Sequence, residues 1–251
     1  MSFSVDLNAD LGEGAGHDAE LLALVTSANI ACGLHAGSEL MMREALLAAK
    51  ERGVAVGAHP SFDDRENFGR REMSLPEEEI VLLVTRQLRA FREVSHSLGV
   101  RPNHVKPHGA LYNMAARDEV IADAIACAVL SIDPELIVFA PGNSELSRAA
   151  EARELRVARE VFADRNYMPD GSLVPRSAEN AMLHDPEAAA DRVFAMLRDK
   201  NVRAIDGTDV PVQVDTICVH GDTPDAVEFV IALRTCLAQT GIVLGPPGAA
   251  T

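Results

Sequence analysis

Five short apolar runs, each ending in a polar cluster, constrain the fold of this chain more than any other feature. They lie at 5–10 (VDLNAD), 29–35 (NIACGLH), 54–59 (VAVGAH), 104–108 (HVKPH) and 217–222 (ICVHGD). Helix-like stretches separate them, which is typical of parallel strands joined by helices. Because such strands share a direction, the residues at their C-terminal ends converge on one rim. The sequence therefore predicts a polar site at that rim.

The rest of the chain continues the alternation of strands and helices. Predicted strands occupy 3–8, 28–34, 54–58, 103–107, 136–140, 156–163 and 215–220, and predicted helices occupy 18–26, 39–52, 77–98, 119–130, 144–152, 186–200 and 225–239. Two helix starts carry a capping residue and a first-turn proline, Ser74 with Pro76 and Asp185 with Pro186. Seven strand–helix units predict an α/β fold, an irregular seven-stranded (β/α) barrel.

Length and hydrophobic content favour one domain. A chain of 251 residues with 47% hydrophobic residues can bury a single large core, and α/β barrels often have this length. We expect one barrel domain over residues 1–244. The segment 245–251 (GPPGAAT) is rich in glycine and proline and is expected to be a flexible tail.

Charge and cysteine usage narrow the class of partner. A formal net charge of −15 argues against nucleic acid or an anionic membrane surface, since both require a basic patch. The four cysteines form no CxxC pair, and three lie in apolar runs, as reduced cysteines do. No basic leader or membrane-length apolar run is visible. These features favour a cytoplasmic protein that acts on a small molecule.

Strand parity indicates which residues share the site. Side chains two positions apart on a strand lie on the same face. Small residues precede His35 and His59 on their faces and leave room for a cavity. A single histidine at a strand end is usually only hydrogen bonded or solvated, but histidines at four strand ends predict a shared site. Three strand ends also place a polar pair on one face: Asn8 with Asp10, Lys106 with His108, and His220 with Asp222.

Eight sequence blocks carry a resemblance to a known family. They are DLNADLGEG (6–14), NIACGLHAG (29–37), GAHPSF (57–62), FGRR (68–71), VKPHGALYN (105–113), EVFADRNY (160–167), DGSLVPR (170–176) and ICVHGDTP (217–224). In content and order they resemble the LamB/YcsF family, the A subunit of bacterial 5-oxoprolinase. The resemblance implies a seven-stranded β/α barrel related to glycoside hydrolases and polysaccharide deacetylases.

The same resemblance implies an activity and partners. The expected reaction is ring opening of 5-oxo-L-proline to L-glutamate, with ATP as co-substrate, together with Mg²⁺, giving ADP and phosphate. Two other subunits, B and C, would complete the enzyme. The sequence contains no GxxxxGK[ST] loop, so ATP is expected to bind elsewhere or at a subunit interface. We therefore expect little ATP-coupled turnover from this chain alone.

The chemistry of lactam opening suggests roles for the strand-end residues. It requires a general base, groups that stabilise the developing charge, and a positively charged side chain that binds the substrate carboxylate. The expected catalytic residues are Asp10, His59, Lys106, His108 and His220. The expected substrate-binding residues are Asn8, Arg70, Arg71, Asp164, Arg165, Arg176 and Asp222. Within this second set, Asp164 could orient Arg165 towards the barrel mouth.

A divalent metal and two other functions stay open. Asp10, His35 and His59 are candidate metal ligands, since one carboxylate and two imidazoles are typical of a catalytic zinc site with an open position. The same groups also suit acid–base chemistry without a metal. One alternative function is a non-catalytic lactam-binding or regulatory subunit of the same complex. Another is a metal-dependent amidase or deacetylase that acts without ATP. Converging histidines favour catalysis over a carrier role.

Overall fold

Seven parallel strands form a closed ring at the centre of the molecule, which is described here by a computed structural model for residues 4–221 and 225–248. The ring closes because the first strand pairs with both the second and the last. This arrangement confirms the predicted seven-stranded barrel. The ring strands are, in order, β1 (Ser4–Leu11), β2 (Ser27–Ala31), β3 (Ala55–His59), β4 (His104–Val105), β5 (Ile137–Ala140), β6 (Arg156–Phe162) and β9 (Thr216–Val219).

Helices cover the outside of the ring. They are α1 (Asp18–Leu22), α2 (Glu39–Arg52), α3 (Glu77–Ser97), α4 (Gly109–Ala115), α5 (Glu119–Ile132), α6 (Glu145–Ala152), α7 (Pro186–Asp199) and α8 (Ala226–Gln239). Neighbouring helices pack side by side, most extensively α3 with α5, α7 with α8 and α5 with α6. In the described ranges, no helix is both long and apolar enough to cross a membrane.

Some elements were not predicted. The strands β7 (Asn201–Arg203) and β8 (Asp209–Pro211) form a separate antiparallel hairpin, and β10 (Val243–Leu244) pairs with the start of β1. Helix α4 was also missed. Of the predicted tail, residues 245–248 are described, and the carbonyl of Pro247 accepts a hydrogen bond from Asn103 at 3.4 Å. Residues 249–251 lie outside the described part of the chain.

One predicted helix end and one predicted helix cap were wrong. Helix α1 ends at Leu22 rather than at Thr26. The reason is that Thr26 belongs to the sheet edge: its backbone N donates to the carbonyl of Leu7, and its hydroxyl accepts from the N of Leu7, both at 2.8 Å. At α3, the N-cap is Pro76 rather than Ser74.

The other predicted cap is confirmed, because a side chain is available to satisfy the free amides at the helix start. At α7, Pro186 occupies the first turn and Asp185 is the N-cap. The carboxylate of Asp185 accepts from the N of Glu187 at 3.0 Å and from the N of Ala188 at 3.2 Å.

Alternation along β1 explains why the barrel interior is polar. Val5, Leu7 and Leu11 are buried in the hydrophobic core that includes the covering helices. The intervening Asp6 is equally buried but accepts hydrogen bonds from three hydroxyl groups at 2.6–2.7 Å. Burial raises the pKa of Asp6 to about 6. The strand therefore has an apolar outer face and a polar inner face, which leads towards the rim.

Candidate functional site

A buried lysine lies between two carboxylates at the rim. Lys106 follows β4 and is 2% exposed. Its Nζ lies 2.9 Å from Asp10 Oδ1 on β1 and 3.0 Å from Glu160 Oε1 on β6. It also donates to Cys218 Sγ on β9 at 2.9 Å. Residues from four parts of the ring therefore meet at one ammonium group.

The surroundings fix the charges of Lys106 and Asp10. Burial alone would lower the pKa of Lys106, but Asp10 and the other acidic neighbours hold it well above its usual value. Burial would likewise raise the pKa of Asp10, but its contacts with His59 and Lys106 hold it well below the usual value. Lys106 therefore offers a fixed positive charge rather than a proton acceptor at neutral pH.

Three histidines and a glutamate form a second group beside this pair, which we call the histidine cluster: Glu13, His35, His59 and His108. Each offers one ligand atom, and these atoms lie within 4.8 Å of one another. Glu13 Oε1 is 3.0 Å from His35 Nε2, 3.3 Å from His108 Nδ1 and 3.7 Å from His59 Nε2. The rings of His35 and His108 stack with centroids 3.9 Å apart. Strand ends and loops thus supply a compact set of nitrogen and oxygen donors.

The histidine cluster is buried, and two of its imidazoles are neutral. Burial lowers the pKa of His35 to about 3, and burial also holds the pKa of His108 well below its usual value. The carboxylate side chain of Glu13 is 3% exposed. Neutral imidazoles are ligands and proton acceptors, so these rings are in the form that either role requires.

The loop after β3 covers the histidine cluster. Its Phe68 packs against His35 and His108 with ring centroids 5.6 and 5.5 Å apart. The next residue, Gly69, has φ +66, and a Cβ there would lie 2.8 Å from the Cβ of His35. Only glycine allows the loop to approach this closely with that backbone conformation.

A histidine–aspartate pair lies near Cys218, which contacts Lys106. His220, directly after β9, places its Nδ1 2.8 Å from Asp164 Oδ2, and its ring stacks on Phe162 with centroids 5.4 Å apart. Burial would raise the pKa of Asp164, but His220 and nearby arginines hold it below its usual value. The carboxylate therefore fixes the orientation of the imidazole.

The predicted arginines lie around this region in different environments. Arg165 is buried, and its guanidinium donates to the carbonyl of Val174 at 2.6 Å. Arg176 is half-buried and contributes to the lowered pKa of Asp164. Arg70 is exposed and lies 4.8 Å above the Phe68 ring.

Of the remaining predicted substrate-binding residues, Arg71 and Asn8 contact other side chains of the protein. Arg71 is exposed and lies 3.6 Å from Asp64. Asn8 lies inside the barrel, where its amide donates to Glu160 and Thr216 at 3.0 and 2.7 Å. The predicted Asp222 lies outside the described residues.

The structure brings Asp10, His35, His59, Lys106, His108 and His220 to one end of the barrel. It also adds residues that the sequence analysis did not name. Glu13 joins the histidine cluster, and Glu160 is the second carboxylate at Lys106. Tyr112 donates to Glu160 Oε2 at 2.7 Å. Strand parity on β6, which places Glu160 on the same face as Phe162, was a usable signal for Glu160.

A model of the LamB/YcsF family matches residues 5–250. The chain belongs to the LamB/YcsF family. This LamB/YcsF chain is 45% identical to a lactam utilization protein from Thermus thermophilus, with coverage of 97% of this chain and 99% of that one and a TM-score of 0.90. It is 12% identical to a family 4 carbohydrate esterase from Streptomyces lividans, with coverage of 97% and 92% and a TM-score of 0.53. The second likeness concerns the fold alone and agrees with the predicted deacetylase-like barrel.

Proposed function

We propose that this LamB/YcsF chain is the hydrolytic subunit of an ATP-dependent 5-oxoprolinase, which opens 5-oxo-L-proline to L-glutamate. The observation that carries the proposal is the buried Lys106 ammonium, held beside an oriented histidine at the rim. The similarity to a lactam utilization protein supports the substrate class. ATP, with Mg²⁺, is the proposed co-substrate, and two partner subunits, B and C, are the proposed source of the nucleotide site.

The site offers the groups that amide hydrolysis requires. Water adds to the lactam carbon, the C–N bond breaks, and the ring nitrogen receives a proton. His220 is the proposed base, because its Nδ1 hydrogen bond to Asp164 orients the ring and makes Nε2 the basic nitrogen that takes the proton from water. Lys106 is the proposed electrostatic partner of the negative charge that develops on the lactam oxygen. Transfer of the γ-phosphoryl group of ATP to that oxygen, with release of ADP, would make the carbon more reactive. C–N cleavage after water adds would then leave an acyl phosphate, which a second water hydrolyses to the carboxylate and phosphate.

The test is an assay of glutamate and phosphate release from 5-oxoproline and ATP. We expect little turnover from the chain alone and robust turnover when both partner subunits are added. In that complex, His220→Ala should lower kcat by about 100-fold or more, the usual scale for an acid–base group. His96, an exposed residue in the last turn of α3, provides a matched control, and His96→Ala should leave the rate unchanged.

Other outcomes would support the alternative functions. If His220→Ala and a second variant, Asp164→Asn, both kept normal turnover in a folded complex, the chemistry would lie in a partner and this chain would be a lactam-binding subunit. Turnover by the chain alone in the absence of ATP would instead identify an independent amidase.

A further inference from the structure

His59 and His108 of the histidine cluster face each other through one ring nitrogen each, and the other nitrogen of each ring contacts a carbonyl oxygen. His59 Nδ1 lies 2.7 Å from the carbonyl oxygen of Lys106, and His108 Nε2 lies 2.9 Å from the carbonyl oxygen of Phe68. A carbonyl can only accept, so each of these nitrogens carries the ring's proton. When both rings are neutral, the opposite nitrogens, His59 Nε2 and His108 Nδ1, each carry a lone pair. They lie 2.9 Å apart, where two lone pairs repel.

The third histidine is oriented in the same way. Ser61 Oγ donates to the carbonyl of Phe62 at 2.9 Å, so its hydrogen is already engaged. It therefore accepts from His35 Nδ1 at 2.9 Å. This leaves the lone pair on His35 Nε2, which points at Glu13 Oε1 at 3.0 Å. A carboxylate oxygen cannot donate to it, so this contact is also repulsive without a positive charge between the two atoms.

Four of the six separations among the donor atoms are close to those in a single-ion site, and all six are within 4.8 Å. Bond lengths of about 2.0–2.1 Å in a tetrahedral zinc site place neighbouring ligand atoms roughly 3.3 Å apart. The separations given above, 3.0, 3.3 and 3.7 Å from Glu13 Oε1 and 2.9 Å between His59 and His108, lie on both sides of that value. A cation at the centre would convert every repulsive contact into a pair of metal bonds.

We propose that Glu13, His35, His59 and His108 bind one divalent zinc ion. Three imidazoles and one carboxylate suit Zn²⁺, whereas Mg²⁺ prefers oxygen ligands and retains water. Each histidine donates its other ring N–H to a carbonyl or hydroxyl, which is how protein metal sites orient their imidazoles. This set contains Glu13 in place of the predicted Asp10. Asp10 Oδ1 accepts from Lys106 at 2.9 Å and from Asn29 at 2.8 Å, and its Oδ2 lies 3.4 Å from His59 Nε2, beside the four donors.

The proposal is independent of the lactam reaction, because its test requires no substrate. The purified chain is stripped with a chelator, and Zn²⁺ is titrated against a chromophoric competitor, with metal content measured by mass spectrometry. We expect one Zn²⁺ per chain and no comparable binding of Mg²⁺. Glu13→Ala and His108→Ala should each weaken Zn²⁺ binding by more than about 100-fold, since even outer-shell changes cost 10–100-fold.

Two control variants distinguish this site from other possible metal ligands, and a third variant tests a residue that supports His35. His17→Ala removes a half-buried histidine close to Glu13 in sequence and should bind Zn²⁺ as the wild type does. Asp10→Asn should also retain one Zn²⁺. Ser61→Ala should weaken binding by about 10–100-fold while it leaves the ligands in place.

Circular dichroism of the metal-free variants checks that they are folded. A chain that binds no Zn²⁺, or folded Glu13→Ala and His108→Ala variants that bind it normally, would overturn the proposal. The His59–His108 contact would then contain a shared proton. Zinc binding without lactam turnover in the complete complex would leave this proposal intact and remove the proposed function.

Discussion

Lys106 is a buried cation whose surroundings depend on its charge. Its ammonium is within hydrogen-bonding distance of Asp10 and Glu160, and Glu160 in turn accepts from the hydroxyl of Tyr112. In water these groups would be solvated individually, whereas here they compensate one another. Removing the lysine therefore leaves two carboxylates in the interior without their shared counterion.

The first prediction follows for Lys106→Met, which removes the charge and keeps most of the volume. At pH 7 the free energy of unfolding should fall by about 3–5 kcal/mol, the usual cost of leaving buried charge unpaired. In the wild type the pKa of Asp10 is lowered, so its stabilising contribution is present above the unfolded-state pKa and lost as the pH falls through the folded-state pKa. Without Lys106 that pKa rises, so the deficit should shrink between pH 7 and pH 5.

Urea unfolding at the two pH values measures both effects. Lys50→Met is the matched control, because Lys50 is exposed and its Nζ donates only to the carbonyl of Leu98 among the bonds described. That variant should change stability by no more than about 0.5 kcal/mol. Equal losses in the two variants, or a pH-independent loss at Lys106, would contradict a charge-compensating role.

At the scale of elements, strand β3 packs closely against the His104 side chain of the neighbouring strand β4. A Cβ at Gly57 would lie 2.2 Å from His104 Cδ2. The His104 ring is fixed by stacking on Phe139 with centroids 4.1 Å apart and by its Nε2 hydrogen bond to Asn29 Oδ1 at 2.8 Å. Burial lowers the pKa of His104 to about 3, so the ring is neutral. The position thus requires glycine for space.

Gly57→Ala should therefore destabilise the chain by about 3 kcal/mol, the upper end of the usual cost of overpacking. Gly142→Ala is the control, because a Cβ there meets only the Arg159 side chain, at 3.5 Å or more. Thermal unfolding compares the two variants. If the effect arises from the His104 ring, His104→Ala should reduce the additional cost of Gly57→Ala. Additive losses would show that the collision is not the cause.

Elements with a strong local pattern were predicted, and those that depend on distant contacts were not. The helix at 39–52 was predicted with both ends correct, since Ser38 caps its start and Gly53 ends it with φ 68. Helix α4 has seven residues and no side-chain cap, so it lacks such signals. It forms where the N of Ala110, in its first turn, donates to the carbonyl of Gly69 at 2.9 Å, a contact with a loop that is far away in sequence.

At the scale of the whole molecule, closure of the ring links its two ends. Strand β1 pairs with β2 and with β9, so opening either seam exposes the polar interior. We expect one cooperative unfolding transition. The chain contains two tyrosines and no tryptophan, and Tyr112 and Tyr167 are both buried. Tyrosine fluorescence and far-ultraviolet circular dichroism should give coincident urea curves, and separated midpoints would contradict a single domain over residues 1–244.

The strand-end residues of the rim were predictable because the order of the strands and the alternation of side chains along each strand can be read from the sequence. The paths of the loops that complete the rim depend on contacts between distant residues. Asp10, Lys106 and His220 were named from their positions at strand ends. Glu13 lies in a glycine-rich loop whose path depends on contact with another loop: a Cβ at Gly37 would lie 2.3 Å from the carbonyl oxygen of Gly12. That approach has no periodic sequence signal, so the position of Glu13 could not be inferred from the sequence.

The burial of the rim has a consequence for how tightly any ligand is held. Asp10, His59 and Lys106 are at most 5% exposed, so a five-membered ring cannot contact them until the covering loops move. The measured dissociation constant then equals the intrinsic one divided by the fraction of molecules that are open. If a partner subunit held the loops open, affinity would increase without a single new contact to the ligand. Partner binding and ligand binding at the rim would then both depend on the same equilibrium between closed and open loops.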